Sequence, residues 1–478
     1  MVLFFSCVAL LVAGYFTYGK VVDRIFGPDP SRATPAKTLA DGVDFVEMSP
    51  AKIFLVQLLN IAGLGPIFGP ILGALYGPSA LLWIVIGSIF GGAVHDYFSG
   101  MLSVRHEGKS VPDVVGLQLG NAIKQFMRLF SIVLLLLVGV VFVLGPAKLM
   151  GNLTPFPVWA WVTVIFAYYF LATILPVDKI IGRLYPLFGA VLAFMAVGLT
   201  IALISKGYRF YPELTLANLH PKGLPLWPLM FITIACGAVS GFHSTQSPLM
   251  ARCLPSEKHG RPVFYGAMIG EGIIALIWAT LGMSFYNNPA ALNAALAQGG
   301  PAYVVNEVST TLLGHFGGFL AILGVVVLPI TSGDTAFRSA RLIIADFLNY
   351  SQKAHLKRLY IAVPLFVVGF LISRGNFNVI WRYFGWANQT LAAIVLWAAA
   401  AYLAERARFH WIATVPATFL TAVVVTYIAY DKIGFSLPLG VSTLIGSVVA
   451  IGAFLAFLAK FRGIARTPDV ASAEPEGV

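Results

Sequence analysis

Charged residues are scarce in this chain: only 11% of its 478 residues are Asp, Glu, Lys or Arg, whereas 58% are hydrophobic. Soluble domains carry about 25% charged residues because their surfaces face water. A soluble chain of this composition could not bury so much apolar side chain. The sequence therefore predicts an all-α, polytopic membrane protein that crosses a lipid bilayer many times.

Cysteine is also scarce, and recognisable catalytic motifs are missing. Cys7, Cys236 and Cys253 fall in or beside apolar runs without metal-ligand spacing, so we expect neither a disulfide framework nor a zinc motif. The lack of a Walker A sequence argues against an ATP-driven pump, and no nucleophile lies beside a base in a known motif. We therefore expect no enzyme activity, no metal site and no cofactor other than a coupling ion, H⁺ or Na⁺.

The basic residues, which give a net charge of +11, cluster in short loops between the apolar runs. Of the 31 Lys and Arg residues, 22 lie in or beside the odd-numbered loops and the tail, and 7 in or beside the even-numbered loops. Because positive loops stay in the cytoplasm, this split predicts an N-terminus outside and a C-terminus inside. It also accounts for the positive charge without a nucleic-acid partner.

Apolar runs of about 18 residues or more predict about thirteen transmembrane helices. Residues 27–50 are predicted to form an irregular connection, and residues 463–478 a disordered cytoplasmic tail. Residues 287–315 are predicted to form a long outer loop with one short helix at 290–297. The predicted spans are residues 2–19, 51–77, 79–103, 126–149, 156–176, 184–205, 225–250, 262–286, 316–346, 356–374, 378–403, 409–430 and 437–461.

Two of these spans contain residues that break helices. The second span holds "GLGPIFGP" at 63–70, and the seventh holds "CGAVSGFHSTQSP" at 236–248. Pro66 and Pro70 lack an amide donor, and the glycines allow the backbone to leave helical geometry. Carbonyls left unpaired at membrane depth need water, a cation or a substrate as partner. The alternative is that both sites are ordinary kinks or packing contacts, which are common in membrane helices.

The two broken spans begin five spans apart and run in opposite directions across the membrane. Two five-helix blocks of opposite topology, each starting with a broken helix, are typical of inverted-repeat transporters. The predicted units are an N-terminal helix with its connection (1–50), a first repeat (51–206), a second repeat (207–404), two C-terminal helices (405–462) and a tail (463–478).

A substrate is expected between the two breaks, where backbone amides and polar side chains could bind a carboxylate. Asn388 and Gln389 in span eleven could line the same cavity, although hydrogen bonding between neighbouring helices is the commoner role of such residues. The candidate substrate-binding residues are Gly63, Gly65, Pro66, Gly69, Gly237, Ser240, Gly241, His243, Ser244, Gln246, Asn388 and Gln389.

Ionisable residues inside apolar runs are costly and indicate function. In span nine, Asp334 lies on one helical stripe with Thr331 and Thr335, beside Ser332. Hydroxyl and carboxylate oxygens suit a cation or a proton. The alternative is an ion pair between Asp334 and Arg338 that holds helices together. The candidate ion-coupling residues are Thr331, Ser332, Asp334, Thr335, His95 and Asp96.

His95 and Asp96, near the cytoplasmic end of span three, could relay a proton or bind backbone freed by a broken helix. Because adjacent residues point in different directions on a helix, a metal site shared by these two is not expected without further ligands. Glu271 in span eight is a further buried acid, and its role stays open between function and structure.

Several long segments closely resemble the carbon starvation protein A family, a group that includes peptide and pyruvate transporters. The resemblance implies a secondary transporter of the bacterial inner membrane with a LeuT-like, five-plus-five inverted-repeat fold. It also implies that Thr331 and Ser332 fall where sodium-coupled relatives of that fold place hydroxyls. The matching segments are "GPIFGPILGALYGPSALLWIVIGSIFGGAVHDYFSGMLSVRHEGKSVPDVVG" (65–116), "GFHSTQSPLMARCL" (241–254), "RPVFYGAMIGEGIIALIWATLGM" (261–283), "PITSGDTAFRSARLIIADF" (329–347) and "FGWANQTLAA" (384–393).

The leading hypothesis is import of a small carboxylate such as pyruvate, or of short peptides, driven by a proton or sodium gradient. Alternating access would follow from rocking one helix bundle against the other. A channel or a nutrient sensor without coupled transport is the alternative. A metal-dependent membrane enzyme would need convergent His and acidic ligands, which the spacing does not show. The oligomeric state does not follow from the sequence.

Overall fold

The computed structural model describes residues 1–42, 44–174, 177–209, 215–350, 352 and 355–462. The predicted tail, 463–478, lies outside the described residues. Within the described chain, nineteen α-helices form in this order: α1 Val2–Phe16, α2 Tyr18–Phe26, α3 Pro35–Thr38, α4 Pro50–Ile61, α5 Gly65–Gly73, α6 Ser79–Gly87, α7 Ala93–Arg105, α8 Val111–Leu119, α9 Asn121–Leu153, α10 Val158–Ile174, α11 Val177–Ser205, α12 Leu226–Thr233, α13 Phe242–Ala251, α14 Gly266–Phe285, α15 Pro289–Phe347, α16 His355–Ser373, α17 Phe377–Glu405, α18 Trp411–Tyr430 and α19 Leu439–Phe461.

Local sequence signals set several helix ends. Pro50 starts α4, where its missing N–H costs nothing. The side chain of Asn288 caps α15 by accepting the amide of Ala291, and Asn376 caps α17 in the same way. Gly27 ends α2 with a φ of 65°, a left-handed conformation that favours glycine.

Ten helices of the described chain are long and apolar enough to cross a membrane, and the pair α4–α5, bent by 49°, makes an eleventh span. Two further predicted spans take other forms. Span five, 156–176, contains a shorter apolar helix, and span seven, 225–250, consists of α12 and α13 on either side of residues 234–241. The chain is therefore a nearly all-helical, multi-pass membrane protein.

The predicted outer loop at 287–315 is largely helical, so that prediction was wrong for most of its length. The expected short helix at 290–297 forms the start of α15, but the chain stays helical beyond it and turns only at Gly299, Gly300 and Gly314. The reason is an apolar face between those turns, because Val304, Val305, Val308 and Leu312 are buried at helical spacing.

The broken helices occupy the centre of the fold. Half-helices α4, α5 and α13 pack against α7, α14 and α15, while α9 lies along α15, α10 and α17. The N-terminal helix α1 packs on α14 and α6, and α19 packs mainly on α18 at the periphery. The central helices are buried on most sides, which places their polar residues away from lipid.

One buried ion pair joins the N-terminal segment to both predicted repeats. The Arg105 guanidinium donates to both carboxylate oxygens of Glu257, at 3.2 and 3.1 Å. It also donates to the Gly27 carbonyl at 2.7 Å and to the Tyr402 hydroxyl at 2.6 Å. The end of α2, the end of α7, the segment after α13 and α17 are therefore held together at one side of the bundle.

Candidate functional site

The two breaks touch each other at the centre of the molecule. A methyl group added at Gly65 would lie 2.1 Å from Cβ of Cys236 and 2.4 Å from its Sγ. A methyl group at Gly69 would lie 2.8 Å from the carbonyl oxygen of Thr233. Both contacts require glycine, because no Cβ approaches other atoms so closely. The glycines of the first break thus allow the second break to pack directly against it.

The first break spans residues 62–64, between α4 and α5. Pro66 takes the second position of α5, where a helix has no acceptor for an amide and proline is tolerated. Gly63 lies under the Phe142 ring, which an added methyl group would approach to 2.5 Å. In the first turn of α5, Pro66 has no amide hydrogen and the Ile67 amide donates to the Leu64 carbonyl at 3.1 Å, so Gly65 supplies the remaining amide donor at this helix N-terminus.

The second break spans residues 234–241, and Asn388 on α17 organises its end. The Asn388 side-chain oxygen accepts the backbone amide of Phe242 at 2.6 Å and the Ser240 hydroxyl at 3.2 Å. The backbone amide of Gly241 donates to the Asn388 carbonyl at 3.1 Å. These amides of the predicted carboxylate site are thus bound by protein in this structure.

Gln389 supports the other side of the same break, since its amide donates to the Phe231 carbonyl on α12 at 2.6 Å. Asn388 and Gln389 together tie α17 to both halves of the second broken helix, the helix-bonding role named as their alternative. Ser244 donates to the Gly241 carbonyl at 2.6 Å, and Gln246 donates to the Thr245 hydroxyl at 2.9 Å. Both side chains stay within the first turns of α13.

A chain of four buried side chains crosses from α7 through α13 to α14. His95 Nδ1 lies 2.8 Å from Asp96 Oδ1, and Asp96 Oδ2 lies 2.9 Å from His243 Nδ1. On the other side of the ring, His243 Nε2 lies 3.4 Å from Glu271 Oε2. All four side chains are fully buried. The structure thus unites residues that sequence reasoning had placed in separate groups.

This arrangement revises the expectation that His95 and Asp96 point apart. The Asp96 carboxylate lies between two imidazoles: one of its oxygens contacts His95, and the other contacts His243. Glu271, whose role the sequence left open, faces the ring of His243. Sequence spacing could not show the contact between α13 and α14, because Glu271 follows His243 by 28 positions.

A second polar cluster lies where α15 meets the end of α4. The hydroxyls of Thr331 and Ser332 each lie 3.2 Å from the Leu59 carbonyl oxygen, just before the first break. Thr335 donates only to carbonyls of its own helix. The Thr331 and Ser332 hydroxyls also lie within hydrogen-bond distance of the Leu328 carbonyl on their own helix, at 2.7 and 3.0 Å, and with Leu59 they bring oxygens from two helices together beside the first break.

Asp334 belongs to the same helix but faces α10. Its Oδ2 accepts the Tyr168 hydroxyl at 3.3 Å, and its Oδ1 is buried without a hydrogen-bond partner among the described residues. Arg338 donates to the Ala172 carbonyl on α10 at 2.5 Å. Tyr168 was missed by sequence reasoning, and a tyrosine pair inside the apolar run of α10 is the only signal that could have indicated it.

Comparison with known sequences matches one family along most of the chain. The sequence profile described as "Carbon starvation protein CstA" matches residues 1–159, 146–298 and 288–429. An uncharacterized membrane protein of Haemophilus influenzae is 51% identical over 352 residues, covering 63% of this chain and 95% of that protein. The peptide transporter CstA of Bacillus subtilis is 25% identical over 588 aligned positions, with 97% of each chain covered. The family expected from the sequence is confirmed.

Solved structures share the fold at low sequence identity. A crystal structure of a variant of the manganese transporter from Eremococcus coleocola has a TM-score of 0.57 at 13% identity. The match covers 89% of this chain and 97% of that one. At this identity the likeness establishes architecture alone, and it confirms the predicted LeuT-like, all-helical fold.

Proposed function

The chain belongs to the carbon starvation protein CstA family, and from this premise we propose that it is a secondary transporter for short peptides or small carboxylates such as pyruvate. Relatives that carry a functional name are called peptide transporters, which supports the peptide class. The proposed direction is import across a bacterial inner membrane, with the basic loops in the cytoplasm and the N-terminus outside.

The contact between the two breaks is the observation that supports this proposal most. Gly65 and Cys236 bring the breaks together at the centre of the bundle, where broken helices of transporters bind their substrates. We place the substrate carboxylate at the α5 N-terminus, because the positive end of a helix dipole attracts an anion and Asn388 already accepts the Phe242 amide at the start of α13. The other candidate residues at 63–69 and 237–246 would surround the substrate.

Coupling is proposed on α15, at Asp334, which faces α10, or at the Thr331 and Ser332 hydroxyls, which face α4. Asp334 has one buried oxygen without a hydrogen-bond partner among the described residues, and this carboxylate would carry a proton. Sodium is the second candidate ion, because the hydroxyls of Thr331 and Ser332 converge with the Leu59 carbonyl. His95 and Asp96 were first expected to take part in ion coupling. We assign them instead the role of orienting His243, which Asp96 contacts directly.

Uptake by the purified full chain in liposomes tests the proposal. Labelled dipeptides and pyruvate are compared under an imposed proton gradient, an imposed sodium gradient and no gradient. We expect concentrative uptake of at least one substrate under one gradient. If neither substrate accumulates under any gradient, coupled transport is excluded and a channel or sensor is favoured.

The coupling residue is tested by Asp334→Asn, with Asp346→Asn as the matched control on the exposed end of the same helix. We expect Asp334→Asn to abolish gradient-driven uptake and the control to retain it. If Asp334→Asn retains coupling but lowers the thermal unfolding temperature, the carboxylate is structural and the ion-pair alternative is favoured.

A further inference from the structure

We propose that Cys236, His243 and Glu271 form a binding site for a divalent transition-metal ion, with Zn²⁺ as the preferred ion. Sequence spacing predicted no metal site, because the three residues come from an unwound segment and two separate helices. In the fold, one donor atom from each of them lies within 4.8 Å of the other two, and all three side chains are buried. The inference concerns this ion alone and does not depend on which substrate is carried.

The separation between His243 and Glu271 fits a shared ion better than a direct hydrogen bond. Nε2 and Oε2 are 3.4 Å apart, whereas charge-assisted N–H···O bonds measure about 2.7–2.9 Å. Two ligands at about 2.1 Å from a tetrahedral zinc ion lie about 3.4 Å from each other. The imidazole and the carboxylate are therefore already spaced as two ligands of one ion.

The surroundings of the histidine match those of a metal ligand. Nδ1 of His243 lies 2.9 Å from Asp96 Oδ2, and His95 holds the other oxygen of that carboxylate. A proton on Nδ1, donated to Asp96, leaves the Nε2 lone pair directed at Glu271. Metal-binding histidines almost always donate their other ring nitrogen to a carboxylate or carbonyl, which fixes the tautomer and the ring plane.

The cysteine has a comparable outer partner. The side-chain amide of Asn388 donates to Cys236 Sγ at 3.3 Å, and hydrogen bonds of this kind stabilise a metal-bound thiolate. Cys236 lies in the unwound segment 234–241. Zinc would bind the Cys236 sulfur at about 2.3 Å.

Charge and hydrogen bonding both favour a cation at this position. Among the described residues, neither oxygen of Glu271 has a hydrogen-bond partner, and the same holds for Nε2 of His243. The imidazole of His243 is 3.4 Å away, farther than in a charge-assisted hydrogen bond, so this buried carboxylate is only weakly compensated. A divalent ion would neutralise the carboxylate and a thiolate together. Because a thiolate is a soft ligand, the site would prefer Zn²⁺ or Co²⁺ to Mg²⁺ or Mn²⁺.

Metal binding by the detergent-purified full chain tests this inference without any transport assay. The protein is stripped with a chelator, reloaded with Zn²⁺ or Co²⁺, and its metal content is measured by mass spectrometry. We expect about one equivalent of Zn²⁺ per chain, as structural and catalytic zinc sites hold. With Co²⁺ we expect a thiolate-to-cobalt absorption band. Failure of peptide or pyruvate uptake would leave these measurements unchanged.

Substitutions of the proposed ligands, of one neighbouring residue and of a control cysteine test where the ion binds. We expect Cys236→Ser to remove the cobalt–thiolate band and Glu271→Gln to weaken Zn²⁺ binding at least about tenfold. Asp96→Asn, which acts through His243, should weaken binding about 10–100-fold while leaving the band in place. Cys253→Ser is the matched control, since Cys253 is also buried but lies outside the cluster.

Two results would overturn the inference. One is retention of less than about 0.1 equivalent of Zn²⁺ by folded wild-type protein, which would leave a proton as the cation between the buried acids. The other is equal Zn²⁺ affinity in Cys236→Ser and Cys253→Ser. Because the first result needs only the wild-type chain, a variant that fails to fold does not weaken the test.

Discussion

The first broken helix is interrupted over three residues, 62–64, whereas the second is unwound over eight, 234–241. The first break follows from its own composition, since Pro66 lacks an amide donor and the glycines permit close packing. The second has a single glycine of positive φ, Gly237, and is held from outside by Asn388 and Gln389 on α17. A membrane helix can thus be broken by its own residues or by polar groups of a neighbour.

This difference makes the glycine contact of the first break the most sensitive position. Gly65→Ala would place a methyl group 2.1 Å from Cβ of Cys236, so the two breaks would have to separate. We expect a loss of unfolding free energy of about 3 kcal/mol or more and loss of uptake. Thermal unfolding in detergent, followed by tryptophan fluorescence, checks the stability.

A compensating change sharpens this prediction. Cys236→Gly removes the side chain that Gly65→Ala would strike, so the double variant should regain much of the lost stability. Gly198→Ala is the control, because its added methyl group would meet no atom closer than 3.8 Å. Equal stability of Gly65→Ala and Gly198→Ala would show that the breaks do not need to touch.

The second break should depend on Asn388 more than on any residue within it. Asn388→Ala leaves the buried Phe242 amide and the Ser240 hydroxyl without this acceptor, and we expect a loss of about 2–3 kcal/mol. Thr390→Ala is the control on the same helix, since its hydroxyl bonds only the Trp386 carbonyl one turn away. A similar shift in unfolding temperature for both variants would contradict external support of the second break.

Ion binding beside the first break should respond to the α15 hydroxyls. Thr331→Val combined with Ser332→Ala removes both hydroxyls that reach the Leu59 carbonyl. We expect the ion concentration that half-saturates uptake to rise about tenfold, which corresponds to about 1.4 kcal/mol of ion-binding free energy. The measurement is the ion concentration that half-saturates uptake in liposomes. Thr310→Val serves as control, and an unchanged half-saturation in the double variant would assign coupling elsewhere.

The smallest effect is expected at Gln389. Gln389→Leu loses the bond to the Phe231 carbonyl but also removes a buried oxygen that has no hydrogen-bond partner among the described residues. These two changes offset each other, so we expect a loss of about 1 kcal/mol or less. The unfolding temperatures of Gln389→Leu and Asn388→Ala, measured side by side, give the difference. A loss as large as that of Asn388→Ala would mean that the Asn388 and Gln389 side chains stabilise the second break equally.

Sequence reasoning located most helices because long apolar runs and helix breakers act locally. It identified "GLGPIFGP" and the segment at 236–248 as breaks, and both are non-helical in part. It failed at 287–315, where Val304 and Leu312 are buried on an apolar face that is interrupted in the sequence by polar residues such as Glu307. It predicted about thirteen spans, whereas ten helices of the described chain and the bent pair α4–α5 pass as spans by length and composition, since α12 and α13 are each too short to cross a membrane.

The sequence by itself determined a membrane location, helical structure and the two weak points, since hydrophobic content and missing amide donors are properties of each segment. Only the tertiary structure decided which polar groups meet. Asp96 joins His95 to His243, Glu271 faces that ring, and Asn388 caps a helix that begins 146 positions before it. These contacts join residues far apart in the chain, and helix packing, which brings them together, leaves no periodic signal in any one segment.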